Sequence, residues 1–352
     1  MKKSKVLVGL LAALMLLAGC EQEQRDTVDD TAEKQETVVS GETDSTTAEG
    51  QVTSGSLPGE LAQIPQEYFE EADQQGTLVE LEYDTYESMT YEEEEEVLHK
   101  RAIVYLPYGY SEETAYNVFY LMHGGWSNET TYLGTPDRPN DFKNVLDNAM
   151  ADGKIQPMIV VCPTYNNESE EDGADYSLAL QLTENYHNEL VNDLIPAVEG
   201  TYSTYAEETS PEGLRASRDH RAFCGFSMGS VATWRTFEYC LDYFRYFMPS
   251  SGSLTNDGEV MASMVQDSGH DWDDFFIFAA SGTDDFAYSS FKNQIEAMAG
   301  ENSGTFRYAD NEGEGNLYFL EQDGGTHNGG MRWNIFITDC AGSGSKNPEK
   351  AN

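Results

Sequence analysis

The stretch that decides the fold is "RAFCGFSMGSVATW", Arg221 to Trp234. A short apolar run, Ala222 to Cys224, meets Gly225 and then Phe226-Ser227-Met228-Gly229, after which the residues suit a helix. This is G-x-S-x-G in the context that gives it meaning, with a strand before it and a helix after it. The turn between them is too sharp for bulky neighbours, so glycines flank a serine held in strained backbone. Strain lifts the hydroxyl clear of the sheet and sets it at a helix N-terminus, where amide N–H groups favour developing negative charge. Ser227 is therefore the candidate nucleophile.

Outward from this turn the chain alternates strands and helices. "NVFYLMHGG", "PMIVVCPTY", "FFIFAASGTDD" and "NLYFLEQDGGTH" are, like "RAFCGFS", short and nearly continuous apolar runs. Such runs suit strands buried on both faces, as in a parallel sheet. "LVELEY" (78–83) and "RAIVYL" (101–106) instead alternate apolar and polar residues. They read as an antiparallel pair with one wet face, joined across the acidic turn Glu92 to Glu96. In "TENYHNELVNDLIPAVEGTY", Tyr186, Leu190, Leu194 and Val198 recur every fourth position and form an apolar stripe, which Pro196 interrupts. The expectation is an α/β fold with a mostly parallel central sheet and helices on both faces, plus an antiparallel N-terminal strand pair. Chemistry in such sheets gathers where the strands end at their carboxyl side.

A serine hydroxyl needs a base to take its proton. Of six histidines, His327 lies in "QDGGTHNGG", a glycine-rich loop directly after the last buried run. His99 follows the acidic turn, His187 sits within the amphipathic helix, and His220 and His270 precede strands. The acid that orients the imidazole should follow the preceding strand, and "AASGTDDFAY" supplies both Asp284 and Asp285. The order serine, acid, histidine is that of the α/β-hydrolases. "YLMHGGWS" ends an early strand with His-Gly-Gly, which lets backbone approach a tetrahedral oxygen. The oxyanion hole is accordingly expected at the N–H of Met228 and that of Trp126 or Gly125, with His123 holding the loop.

The ends of the chain read differently. Met1 to Gly19 has a basic start and an apolar stretch from Val6 to Leu17, too short for a comfortable membrane span, and reads as a signal segment. The ending Leu17-Ala18-Gly19-Cys20 resembles the lipobox of bacterial lipoproteins, which implies a diacylglyceryl anchor on Cys20 in the membrane and an extracellular location. Residues 20–59 are rich in Glu, Asp, Thr, Ser and Gln and read as a disordered tether, and residues 342–352 as a disordered tail. That leaves residues 60–341 for one large domain. The 352-residue chain carries a formal charge of −43, which would repel a phosphate backbone and excludes nucleic acid as a partner. Cys162, Cys224, Cys240 and Cys340 show no zinc-like spacing; Cys162 and Cys224 end apolar runs and read as buried free thiols.

Taken together, "RAIVYLPYGY", "YLMHGGWS", "YHNELVNDLIPAVEGTY", "RAFCGFSMGS", "MPSSGSL" and "GTDDFAY" resemble the esterase D / carbohydrate esterase family 1 group. That group holds feruloyl esterases and acetyl xylan esterases. The last residue of the family's G-T-x-D pattern is its triad acid, so the resemblance selects Asp285 over Asp284. The family's histidine loop carries a tryptophan soon after the histidine, whereas here it comes only at Trp333. The resemblance implies a serine carboxylic-ester hydrolase that removes acyl groups, feruloyl rather than acetyl, from plant cell-wall polysaccharide such as xylan. It implies neither a metal nor an organic cofactor. Trp126, Tyr165 and Phe226 are the aromatic residues expected to line the cleft. The competing readings are an acetyl xylan esterase or carbohydrate acyltransferase, and a glycan-binding surface lipoprotein with no catalysis.

Overall fold

In the computed structural model, residues 57–61 and 63–328 are described, and they lie within one compact unit, Val52–Asn352. The signal segment, Cys20, most of the tether, Cys340 and the 342–352 tail lie outside the described residues. The antiparallel pair forms as expected: β1 (Thr77–Tyr86) and β2 (Val97–Leu106) run in register from Thr77↔Leu106 to Tyr86↔Val97. A short 3-10 turn at Ser88–Glu93 joins them, capped by the Glu87 carboxylate, which accepts the N–H groups of Met89 and Thr90 at 3.0 and 2.9 Å. The acidic run Glu92 to Glu96 is exposed to solvent.

The chain then alternates. β3 (Val118–Met122) leads to α1 (Asp141–Ala151), and β4 (Ile159–Cys162) to α2 (Tyr176–Glu189), α3 (Ile195–Thr201) and α4 (Pro211–Ala216). β5 (Arg221–Phe226) turns into α5 (Met228–Tyr239), β6 (Tyr246–Ser250) precedes α6 (Gly258–Ser268), and β7 (Phe276–Gly282) precedes α7 (Tyr288–Ala299) and β8 (Leu317–Gln322). The strands order themselves β1-β2-β4-β3-β5-β6-β7-β8 in one sheet. β2 meets β4 antiparallel, and every pairing from β4 to β8 is parallel.

Each parallel strand is buried on both faces, which is why it reads as a continuous apolar run. On β3, Val118, Tyr120 and Met122 enter one core while Phe119 and Leu121 enter the other. The first core packs under α2 to α7, through residues such as Trp234, Phe237 and Phe291; the second packs under α1 and the N-terminal segment. The expected long helix is broken. A π turn at Leu190–Leu194 separates α2 from α3, and Pro196, with no N–H to give and a ring that crowds the preceding turn, sits in the first turn of α3.

One expectation needs correction, and one strand was not expected. The folded domain begins before residue 60: Leu57 is buried in the second core, its N–H donates to Asp310 O, and the Tyr318 hydroxyl donates to Pro58 O at 2.8 Å. An apolar residue at the tether's end therefore belongs to the core. Tyr246–Ser250 also forms a central strand that its sequence hides, because Pro249 lacks the N–H a ladder wants. It is tolerated one residue from the strand's end, opposite Gly225.

Candidate active site

The elbow after β5 has the geometry its glycines require. Ser227 adopts φ 61° and ψ −118°, a conformation strained for a residue with a side chain. Its N–H donates to Ser250 O at 2.9 Å, which ties the turn to β6. Gly225 and Gly229 face one another so closely that a Cβ on Gly225 would lie 2.2 Å from Gly229 O, and one on Gly229 would lie 2.5 Å from Met122 O. No other residue fits at either position.

Asp285 and His327 come together as expected. β7 and β8 are adjacent parallel strands, so the loops that follow them leave the same sheet edge. The Thr283 hydroxyl accepts Gly324 N–H at 2.8 Å, and Asp284 N–H donates to Gly325 O at 2.9 Å, pinning one loop on the other. Both Asp285 carboxylate oxygens stand 2.8 Å from His327 Nδ1, and Oδ1 also accepts Ala287 N–H at 2.8 Å. The Asp285 side chain is 0% exposed, whereas Asp284 points to solvent. A carboxylate only accepts, so Nδ1 carries the proton and the Nε2 lone pair is left to act as a base. Among the described residues the Ser227 hydroxyl makes no hydrogen bond. Such bonds are often long before substrate binds. Phe226, the residue before Ser227, brings its ring within 4.5 Å of the His327 ring.

The loop after β3 is held by His123. This imidazole is wholly buried: Nδ1–H donates to Gly124 O at 2.7 Å and Nε2 accepts the Thr164 hydroxyl at 2.7 Å. Burial lowers its pKa to about 4, so it is a neutral structural group. Beneath it Lys100 Nζ donates to Thr164 O at 2.8 Å and to Glu189 at 2.7 Å, and the Tyr83 hydroxyl donates to the other Glu189 oxygen at 2.6 Å.

The candidate oxyanion donors divide. Trp126 N–H donates to Gly173 O at 3.0 Å and is committed, so Trp126 is not a donor. Among the described residues, the Gly125 and Met228 N–H groups have no partner. The aromatic residues divide too. Trp126 is 76% exposed and free to form a wall. Tyr165 is 0% exposed, donates its hydroxyl to Gly124 O at 3.1 Å and packs against His123, so it braces the loop and lines no cleft. Phe226 is buried beneath His327 and does not face the cleft as an open wall. Phe286 was missed by the sequence reading. Its ring is 82% exposed and 4.3 Å from the His327 ring. Its place immediately after the candidate acid Asp285 is the signal the sequence offers.

The remaining histidines are engaged elsewhere: His99 with Asp84, His187 stacked on Tyr239, His220 on Tyr205, and His270 with Asp242. Cys162, Cys224 and Cys240 are buried and not disulfide-bonded, and burial pushes the Cys162 and Cys240 thiols up. Among the described residues no group of His, Cys, Asp or Glu side chains is arranged to hold a metal ion.

An eight-stranded sheet with a strained serine at the β5 elbow and a buried acid–imidazole pair at the same edge defines the α/β-hydrolase class, in its serine-hydrolase form. The Esterase family matches residues 99–300, more than half of the chain. The chain belongs to this esterase family, in the carbohydrate esterase family 1 group of feruloyl and acetyl xylan esterase type, whose members are serine carboxylic-ester hydrolases. Endo-1,4-beta-xylanase Y of Acetivibrio thermocellus is 43% identical over 232 residues, 64% of this chain and 20% of that protein. An endo-1,4-beta-xylanase/feruloyl esterase of Xylanibacter ruminicola is 33% identical over 139 residues, 38% of this chain and 16% of its own length. The chain thus spans a fifth or less of these curated relatives. A serine-to-alanine mutant of the feruloyl esterase module from Clostridium thermocellum, complexed with sinapinate, is 36% identical. It superposes with a TM-score of 0.69, over 83% of this chain and 95% of that one. A ferulic acid esterase of the fungus Anaeromyces mucronatus shares the fold at a TM-score of 0.54 and 20% identity, over 79% of this chain and 94% of its own.

Proposed function

We propose that the chain hydrolyses ester-linked phenolic acyl groups, feruloyl above all, on xylan-type polysaccharide. The observation that carries the reading is the Asp285–His327 pair, whose two 2.8 Å contacts hold a proton on Nδ1, so that in the neutral imidazole the lone pair is on Nε2, at the edge where Ser227 stands. Ser227 Oγ attacks the acyl carbon and its proton passes to His327 Nε2. The tetrahedral oxyanion is received by the N–H groups of Met228 and Gly125. The carbon–oxygen bond to the sugar then breaks, and His327 returns the proton to the leaving alkoxide. Water, deprotonated by the same imidazole, releases the acid and frees Ser227.

Exposed aromatic rings favour a phenolic acyl group over acetyl. Phe286 stands beside His327 and Trp126 follows the oxyanion loop, and both are open to a planar ring. An acetyl group needs no such surface. The likeness to xylanases and feruloyl esterases supports the same substrate class. The test is mass spectrometry of the enzyme quenched during turnover of methyl ferulate. A feruloyl adduct on the Ser227 peptide is expected, and its absence together with unimpaired hydrolysis in Ser227→Ala would sink the mechanism. Because Ser227 and His327 act as one unit, either alanine variant should lose about 10⁶ in kcat and the double variant little more.

A further inference from the structure

A concavity whose lining plays no part in the chemistry above lies where the segments after β3 and β4 meet β1 and β2. It is a groove of about 430 Å³. That volume falls within the ordinary range for a ligand site. The groove and the oxyanion loop share their walls. Asn128 lines it two residues after Trp126, and Asn166, which also lines it, donates Nδ2–H to Ser127 O at 3.0 Å. Thr164, another lining residue, holds His123.

Its lining says what ligand would fit. The basic side chains there are already committed. Lys100 is bound to Glu189, Arg101 to Glu129 at 2.8 Å and Glu80 at 3.3 Å, and His99 to Asp84. The carboxylates of Glu82, Glu168 and Glu170, in contrast, make no hydrogen bond or ion pair among the described residues. Hydrogen-bond acceptors are therefore in excess. Uncommitted carboxylates repel an anion, and the polar lining offers little to an apolar ligand. A metal would need acidic side chains converging on one point, and among the described residues none do so. A neutral chain of hydroxyl groups supplies the missing donors.

We propose that this groove is a glycan subsite, which seats sugar units next to the one carrying the ester and takes their hydroxyl protons on Glu82, Glu168 and Glu170. The proposal rests on the reading of the chain as a glycan-ester hydrolase, and its test separates the two. Calorimetric titration of ester-free arabinoxylo-oligosaccharides reads the groove without catalysis. The wild-type protein should bind them, and Glu82→Ala/Glu168→Ala should weaken the Kd about tenfold, the scale of one charge-assisted hydrogen bond. Glu82→Gln, of nearly equal shape, should lie between and leave the melting temperature unchanged. In kinetics, the double variant should lower kcat/KM about tenfold for feruloylated arabinoxylo-oligosaccharide and within twofold for methyl ferulate. Absence of binding to the wild-type protein, equal binding by the variants, or an equal fall on both esters would each overturn the subsite. Binding that responds to the variants in a protein inert toward both esters would instead overturn the hydrolase reading and leave the subsite standing.

Discussion

Replacing Asp285 by Asn tests the candidate triad with almost no change of shape. Both carboxylate oxygens lie 2.8 Å from His327 Nδ1, and Oδ1 also holds Ala287 N–H at 2.8 Å. The Ala287 bond sets the amide's orientation, because a flipped amide would point N–H at N–H in a site with 0% side-chain exposure. Leaving that buried donor unpaired costs about 1–3 kcal/mol. The amide nitrogen then takes the place of Oδ2, facing Nδ1, and only an unprotonated Nδ1 can accept from it. The imidazole proton moves to Nε2, where it blocks transfer from Ser227. The expected loss is about 10⁴ in kcat, the scale of a wrong tautomer at this position in a serine triad, or roughly 5.5 kcal/mol of barrier. Asp284→Asn alters an exposed side chain and should stay within twofold. Steady-state hydrolysis of p-nitrophenyl acetate and methyl ferulate measures both, with thermal melting to show that the fold survives. Retention of more than a tenth of wild-type kcat in Asp285→Asn, or an equal loss in Asp284→Asn, would refute the assignment.

Stability should also depend on His123. Its folded pKa of about 4 lies below the value of about 6.5 for an unfolded histidine, so the unfolded state binds more protons between those limits. Its contribution is therefore complete above about pH 6.5 and lost as pH falls toward 4, on the order of 3 kcal/mol in all. Urea midpoints from pH 7 to 4 should fall more steeply for wild type than for His123→Asn; equal slopes would contradict this origin, since His187 and His220, also lowered by burial, remain in both. Phe286→Ala should reduce kcat/KM for methyl ferulate by roughly three- to tenfold, the worth of one offset ring contact, and leave p-nitrophenyl acetate within twofold; an equal loss on both esters would assign the ring to positioning His327. The anchor proposed at Cys20 predicts palmitate labelling of the full chain in a bacterial host and no label in Cys20→Ala, and label persisting in that variant would remove it.

Much of this molecule was written locally. Continuous apolar runs carry the two-faced burial of β3, β4, β5, β7 and β8, because a strand's environment repeats every two residues and shows in five or six of them. The elbow is equally local: Gly225 and Gly229 touch within five residues of chain, so the sequence alone required glycine at both. β6 escaped because Pro249 denies the local signal while parallel neighbours on either side supply the pairing. What needed tertiary structure is whatever depends on residues far apart in the chain. Asp284 and Asp285 are indistinguishable by composition; a family pattern selects Asp285, but it is the packing of the β8 loop on the β7 loop that buries one and leaves the other wet. Tyr165 and Phe286 are both aromatic residues in loops at the same sheet edge. Tyr165 is captured by His123 and Gly124, some forty residues away, whereas Phe286 is left open beside His327. Which Trp126 group serves was likewise decided at a distance, since Gly173 O takes its N–H and leaves its ring to solvent. Burial and hydrogen-bond commitment are properties of neighbours in space, and a linear pattern records neighbours in the chain.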